Sequence, residues 1–142
     1  MTIDGTPISR VARDLGISSR TLRYYEERGL VNAQPRDGGS RRYSDDEIER
    51  VVRIRELQAV MGFNLDEIAE VLSAEDELAA LRAEWAAGQA DARRSEMVDE
   101  AIAINQGLQH QVRDKVERLG KFLDELENNA KRYKRIRRDL SS

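Results

Sequence analysis

From Ser95 to Leu140 the chain has no proline and little punctuation, and its repeat advances in alternating steps of four and three residues. The repeat runs through Ala101, Asn105, Leu108, Val112, Lys115, Leu119, Phe122, Leu126, Asn129, Tyr133 and Ile136. This is the heptad period of a supercoiled helix. One such helix cannot bury its seam by itself, so it needs a partner. Leu108, Val112, Leu119, Phe122, Leu126 and Tyr133 are therefore the expected dimerisation residues. Ile102, Val116, Leu123 and Ala130 widen the stripe beyond what a two-stranded seam needs. That extra face is available to the head of the same chain or to the partner. Asn105, Lys115 and Asn129 lie in the seam, where polar residues lower stability but fix register.

Composition agrees with a small core plus a long helix. Of the 142 residues, 36% are charged and only 5% aromatic, too polar a mixture for one large core. With no cysteine, the chain has no disulfide, thiolate metal site, iron–sulfur cluster or cysteine nucleophile. The single histidine, His110, cannot form a histidine cluster, and its place on the outside of the heptad wheel marks it as solvated. No cofactor or metal is expected. No apolar run approaches a membrane span or a signal-peptide core, so the expected location is the cytoplasm, without a membrane partner.

The net charge of −3 does not announce nucleic-acid binding, but the local balance does. Between residues 10 and 42 there are eight arginines against Asp14, Glu26, Glu27 and Asp37, and the first lysine is Lys115. The planar fork of arginine suits phosphates and guanine edges.

This basic segment carries two short helices. Thr6 is placed to cap the first, with Pro7 at its first position, where the missing N–H costs nothing. Ile8, Val11, Ala12 and Leu15 share one face, and Gly16 ends the turn. Ser18 is placed to cap the second helix, which continues through Leu22 and Tyr25 to Gly29. Two helices joined by Leu15-Gly16-Ile17 form a helix-turn-helix pattern. Leu30-Val31 and Arg41-Arg42-Tyr43 are candidate strands around a turn at Pro35, Asp37, Gly38 and Gly39, a basic hairpin that would form a wing. Ser44 with Glu47 is a capping box that opens a helix running to Gly62. Asn64 to Glu67 starts another helix, and Ser73 to Asp76 is a candidate start for a further short one, interrupted at Gly88. The expected architecture is mainly α. A winged helix-turn-helix head with a small β wing spans 1–72, a helical connector 73–94, and a coiled-coil dimerisation helix with a basic end 95–142.

The segment Thr21-Leu22-Arg23-Tyr24-Tyr25-Glu26-Glu27-Arg28-Gly29-Leu30-Val31 resembles the signature of the MerR family of transcriptional regulators. So do Ser40-Arg41-Arg42-Tyr43-Ser44 and Met61-Gly62-Phe63-Asn64-Leu65-Asp66-Glu67-Ile68, in the family's order and spacing. Together these motifs cover about residues 6–72. The resemblance implies a homodimer joined by an antiparallel coiled coil. It implies binding to an inverted repeat in promoter DNA, which such regulators bend and untwist for RNA polymerase. The chain departs from the family's metal and redox branches, which use cysteines near the end of the dimerisation helix. It also lacks room for the large C-terminal drug-binding domain of the multidrug branch, so a small-molecule effector remains unassigned.

On this reading Ser19, Arg20, Thr21, Arg23, Tyr24 and Tyr25 belong to the recognition helix, and Arg41, Arg42 and Tyr43 to the wing. Arg23 matches the family's signature arginine, which implies DNA contact. The bland alternative is a solvated charged face. Tyr24 and Tyr25 point in different directions on a helix, so one packs in the head while the other is free to meet a phosphate. Leu15, Ile17, Leu22, Leu30, Ile48 and Val51 are expected core, with Val52, Phe63, Ile68 and Leu72. Trp85, Phe122 and Tyr133 are either an effector pocket or simple packing. The basic run Lys131, Arg132, Lys134, Arg135, Arg137 and Arg138 complements the helix dipole, or else is carried by an antiparallel dimer towards DNA near the partner's head. Competing classes are an architectural DNA binder with little sequence preference and an adaptor working through the long helix. An enzyme is the weakest reading, with no nucleophile–base pair, metal-ligand cluster or Gly-rich phosphate loop.

Overall fold

The computed structural model describes residues 5–33 and 41–142. The turn expected at Pro35 to Gly39, with Arg36 and Ser40, lies outside the described residues. Five helices appear among those described: α1 (Ile8–Leu15), α2 (Ser19–Glu27), α3 (Asp45–Ala59), α4 (Leu65–Ala86) and α5 (Asp91–Ser141). Two short strands, β1 (Thr6–Pro7) and β2 (Arg42–Tyr43), pair antiparallel, with Thr6 opposite Tyr43 and Pro7 opposite Arg42. The chain divides into two compact units, Met1–Ser73 and Ala74–Ser142.

In the first unit the local chemistry sets each boundary. The αL conformation of Gly16, at φ 67°, closes α1, and Ile17 N–H reaches back to the Ala12 carbonyl at 2.9 Å. Ser18 Oγ accepts the Thr21 N–H at 3.0 Å and opens α2. Gly29, at φ 72°, ends the α2 segment in the same way, with Leu30 N–H on the Tyr25 carbonyl at 3.0 Å. Ser44 Oγ accepts the Glu47 N–H at 3.2 Å, while the Glu47 carboxylate accepts the Asn32 N–H at 3.0 Å and so ties the loop to α3. At α4 the capping box is reciprocal: Asn64 Oδ1 accepts from Glu67 N–H at 2.8 Å and Glu67 Oε1 from Asn64 N–H at 2.9 Å.

Several expectations are corrected. Thr6 does not cap α1. Thr6 and Pro7 form β1, and Pro7 itself takes the N-cap position with an extended ψ of 146°. A proline tolerates this edge because the strand needs no N–H from it. Leu30 and Val31 are buried but form no strand, so β2 pairs with β1 rather than closing a hairpin with them. Ser73 starts no new helix. The run from Leu65 to Ala86 is continuous, because α4 meets no glycine or proline before Gly88. The last helix begins at Asp91 and spans 51 residues.

The core of the first unit is built on Val11, Leu22, Tyr25, Tyr43, Ile54 and Ile68, each almost fully buried. Burial of each such side chain contributes about 1.5–3 kcal/mol. Val52, expected in the core, is 47% exposed, because α3 turns Val51, Ile54 and Leu57 inward instead. Gly5 has φ 96°, and a Cβ there would lie 3.0 Å from the Tyr43 carbonyl oxygen. Gly5→Ala is therefore expected to lower the melting temperature of the head by several degrees, roughly 1–3 kcal/mol, through strain and displaced strand pairing. An unchanged melt would show that the strand shifts freely.

Candidate nucleic-acid interface

Helix α2 presents two contrasting faces. Leu22 and Tyr25 point inward, while Arg20, Arg23 and Tyr24 point out, Tyr24 at 44% exposure. Spacing of three and four residues puts these three on one surface. Neither Arg20 nor Arg23 is joined in an ion pair to any described carboxylate. Ser19 and Thr21 are half-buried beside them, with Thr21 Oγ1 and Ser18 Oγ 2.8 Å apart at the cap. Thr21 thus closes the cap as well as facing the helix start. Arg28 stands 6.0 Å from the Tyr24 ring centroid and is paired with Asp66.

Arg41, the residue before β2, is exposed and donates to Glu26 Oε1 at 2.8 Å, so it is held against α2. Arg42 Nη1 donates to the Gly5 carbonyl at 3.1 Å, across the paired strands. Tyr43 turns inward and has no exposed surface. Tyr25 is likewise buried, at 2% exposure, and its hydroxyl donates to Gln58 Oε1 at 2.8 Å. Both tyrosines were grouped with the DNA-facing residues by sequence. Their rings instead build the core that supports that surface. Within the pair, Tyr25 packs inside and Tyr24 stays exposed beside Arg28.

Sequence reasoning did not single out Glu26 or Arg50 as residues that position this surface, and gave Glu47 only a capping role. Glu26 holds Arg41, Glu47 holds the Asn32 amide, and Arg50 Nε donates to the Leu30 carbonyl at 2.5 Å. The last two anchor the strand-free segment that leaves α2. Their signal is a charged residue on a helix whose partners are backbone groups distant in sequence, which one-dimensional periodicity does not reveal.

Burial, then the neighbouring Glu26 carboxylate, pushes the Tyr43 phenol well above its ordinary range. Burial also raises Tyr25, with the Arg55 guanidinium opposing. Unfolded tyrosine ionises near pH 10. The folded head therefore holds protons that the unfolded chain releases, so stability is intact below about pH 10 and falls as pH rises beyond it. Tyr43→Phe is expected to flatten that alkaline slope in a denaturant series. A slope equal to the parent's would remove Tyr43 as its source.

In the second unit Arg93 Nε and Nη2 clasp Glu84 at 2.6 and 2.9 Å, and Nη1 reaches Glu100 at 3.1 Å, joining α5 to the end of α4. This guanidinium holds the Glu84 carboxyl below its ordinary range. Trp85, 42% exposed, carries the Arg94 guanidinium 4.7 Å from its ring centroid. The seam residues are exposed in the single chain: Val112, Leu119, Phe122, Leu126 and Tyr133 lie between 48% and 60%, and Leu108 is half-buried. Phe122 and Tyr133 are not brought to Trp85 within one chain, so the three do not form an intramolecular pocket. Among the described residues, no group of three or more metal-ligating side chains is placed to hold a metal ion. Among the described residues, no helix is long and apolar enough to cross a membrane.

A capped helix pair with an arginine face, a small two-stranded sheet beside it and a long helix with an exposed heptad seam define a helix-turn-helix DNA-binding regulator. The chain belongs to the MerR family. The profile of the MerR HTH family regulatory protein matches residues 6–75. The HTH-type transcriptional regulator YfmP of Bacillus subtilis is 33% identical over 106 residues, covering 74% of each chain. A SoxR homolog of Chromobacterium violaceum, an HTH-type transcriptional activator, is 29% identical over 121 residues, covering 85% of this chain and 71% of its own. These relatives are regulators, not enzymes. Among solved structures, HiNmlR, a MerR family regulator lacking the sensor domain and bound to promoter DNA, has the same fold with a TM-score of 0.50. It is 21% identical, and the alignment covers 92% of this chain and 91% of that one.

Proposed function

We propose that this chain is a homodimeric regulator that binds an inverted repeat in double-stranded promoter DNA and distorts it. The observation that carries this reading is the outward face of α2, where Arg20 and Arg23 have no described ion-pair partner and stand beside Tyr24. An arginine fork held on a rigid helix is suited to the O6 and N7 edge of guanine. Arg41 and Arg42 flank that face on the sheet and supply phosphate contacts that set register. The heptad seam supplies the two-fold partner, so the two recognition helices meet half-sites about one helical turn of DNA apart, or a multiple of it. RNA polymerase is engaged indirectly, through the altered promoter. The site of action is the cytoplasm. The promoter-bound state of the HiNmlR structure supports the same use of the fold.

Capture of sheared genomic DNA on the purified protein, followed by sequencing, tests the reading. A few enriched promoter fragments sharing an inverted repeat are expected. Diffuse recovery would mean an architectural binder, and recovery equal to bare beads would leave the long helix as an adaptor. Binding should also weaken steeply with salt, log affinity falling by about 0.9 per phosphate neutralised for each unit of log salt concentration. A salt-independent affinity would exclude the arginine surface as the contact.

A further inference from the structure

The last turns of α5 carry six cations, Lys131, Arg132, Lys134, Arg135, Arg137 and Arg138, against the single anion Asp139. The 130 residues before them hold 18 of the 24 cations and 26 of the 27 anions, so positive charge is concentrated at one end of an otherwise acidic chain. All six side chains are exposed. At about 100° per residue, Tyr133 and Ile136 continue the heptad seam and Arg132 and Arg137 flank it. Lys131, Lys134, Arg135 and Arg138 fall on the opposite face. A partner seated on the seam leaves that outer face uncovered.

The helix itself does not account for these four cations. Earlier in α5, spacing of three or four residues joins opposite charges: Arg93 meets Glu96 at 3.3 Å and Lys121 meets Glu117 at 3.5 Å. Here the same spacing stacks like charges, Lys131 with Lys134 and Arg135, and Arg138 with Lys134 and Arg135. Such pairs weaken a helix. None of the four is ion-paired to a described carboxylate. The helix dipole favours a cation only in the final turn, and of the six only Arg138 lies there. The terminal carbonyls have other donors: Ser141 Oγ donates to the Arg137 carbonyl at 3.0 Å and Ser142 Oγ to the Asp139 carbonyl at 3.0 Å. A segment that works against its own helix points to a task outside it.

We propose that this outer face is a second contact with duplex DNA, made on the phosphate backbone and blind to sequence. The proposal rests on the DNA-binding regulator described above and adds a site apart from α2 and the sheet. The make-up of the face favours DNA over a protein partner. It holds no apolar or aromatic residue, and Asp124 and Glu127 bound it on the N-terminal side. Protein interfaces have the reverse make-up, depleted in lysine and centred on aromatic anchors. On the C-terminal side Lys134, Arg137, Arg138, Ser141 and Ser142 line a shallow recess, which offers ammonium, guanidinium and hydroxyl donors to one anion. These are the donors that contact phosphate oxygens in protein–DNA interfaces.

Lys131 and Arg138 are roughly 10 Å apart along the helix axis, at a rise of 1.5 Å per residue. One strand of a duplex presents a phosphate about every 3.4 Å of its axis, so two helical turns of long side chains meet several phosphates without a fixed register. Each phosphate neutralised steepens the fall of log affinity with log salt by about 0.9. The contact raises affinity for every sequence alike and leaves discrimination to α2.

The test measures binding of the full chain to a labelled duplex of arbitrary sequence, several helical turns long, by anisotropy across a salt series. One variant carries Lys131→Gln, Lys134→Gln, Arg135→Gln and Arg138→Gln together. Its salt slope is expected to be shallower by roughly 2–4, and its affinity at about 0.1 M salt at least about tenfold weaker than the parent's. Circular dichroism and sedimentation should match the parent, because neutral side chains relieve the repulsion along the helix. A double variant, Lys134→Gln with Arg138→Gln, should show about half the change in slope. Arg135→Lys with Arg138→Lys keeps the charge and should keep the parent slope. A slope lost in this charge-preserving variant would show that phosphate contact is not the cause. A parent that fails to bind the duplex at low salt would defeat the DNA-binding reading itself. A parent that binds, with glutamine variants of equal slope, would overturn this contact alone and leave the face to an acidic protein.

Discussion

Arg23→Ala is expected to lower affinity for the specific operator by roughly 30- to 10⁴-fold, the value of two guanine contacts at about 1–3 kcal/mol each because the two-fold pair loses one in each half-site, while affinity for unrelated duplex changes little. On the proposed reading, fold and function separate at this position. Arg23 is exposed on α2, its guanidinium is joined to no described carboxylate, and its neighbours Leu22 and Tyr25 hold the helix to the core without it. Alanine also has the higher helix propensity, so circular dichroism and melting should match the parent. Fluorescence anisotropy on operator and scrambled duplexes measures the difference. Lysine at 23 is not expected to restore discrimination, because a point charge lacks the bidentate fork. Arg41→Ala makes a weaker test, since it also releases Glu26, whose side chain is only 9% exposed. A folded Arg23→Ala protein with full operator affinity would remove α2 as the reading helix.

Leu126→Glu is expected to convert the proposed dimer to monomer at micromolar concentration and with it to abolish operator binding. In a two-fold pair the layer containing Leu126 occurs twice, so one substitution places two carboxylates against the seam. Loss of two leucine burials, at about 1.5–3 kcal/mol each, weakens association by roughly 10²- to 10⁴-fold before the cost of the charges is counted. Within its own chain Leu126 is 48% exposed, so the monomer should keep its helices. Sedimentation and anisotropy on the same sample check both parts. Retention of a dimer would mean that the seam is not the contact, and retention of tight binding by a monomer would separate DNA recognition from pairing.

The limits of each helix were largely written in local residues. Ser18, Gly16, Gly29 and Ser44 are caps whose effect depends on a few neighbouring atoms, and the heptad stripe depends only on spacing. Arg20, Arg23 and Tyr24 could be placed on one surface for the same reason. The failures fall where distant segments decide. Thr6-Pro7 looks like a helix start until Arg42-Tyr43 arrives to pair with it, and Leu30-Val31 looks like a strand until that pairing is taken. Tyr25 and Tyr43 carry the same hydroxyl as Tyr24, but only packing shows that two of the three are interior.

By itself the sequence determined the helix-turn-helix pair, the arginine-rich character of its outer face and a long helix with an apolar heptad stripe, because these follow from capping, charge and period within a few turns. Tertiary structure alone decided which strand closes the sheet, which tyrosines are buried and which backbone groups Glu47 and Arg50 hold, because each depends on segments far apart in the chain coming within a few ångströms.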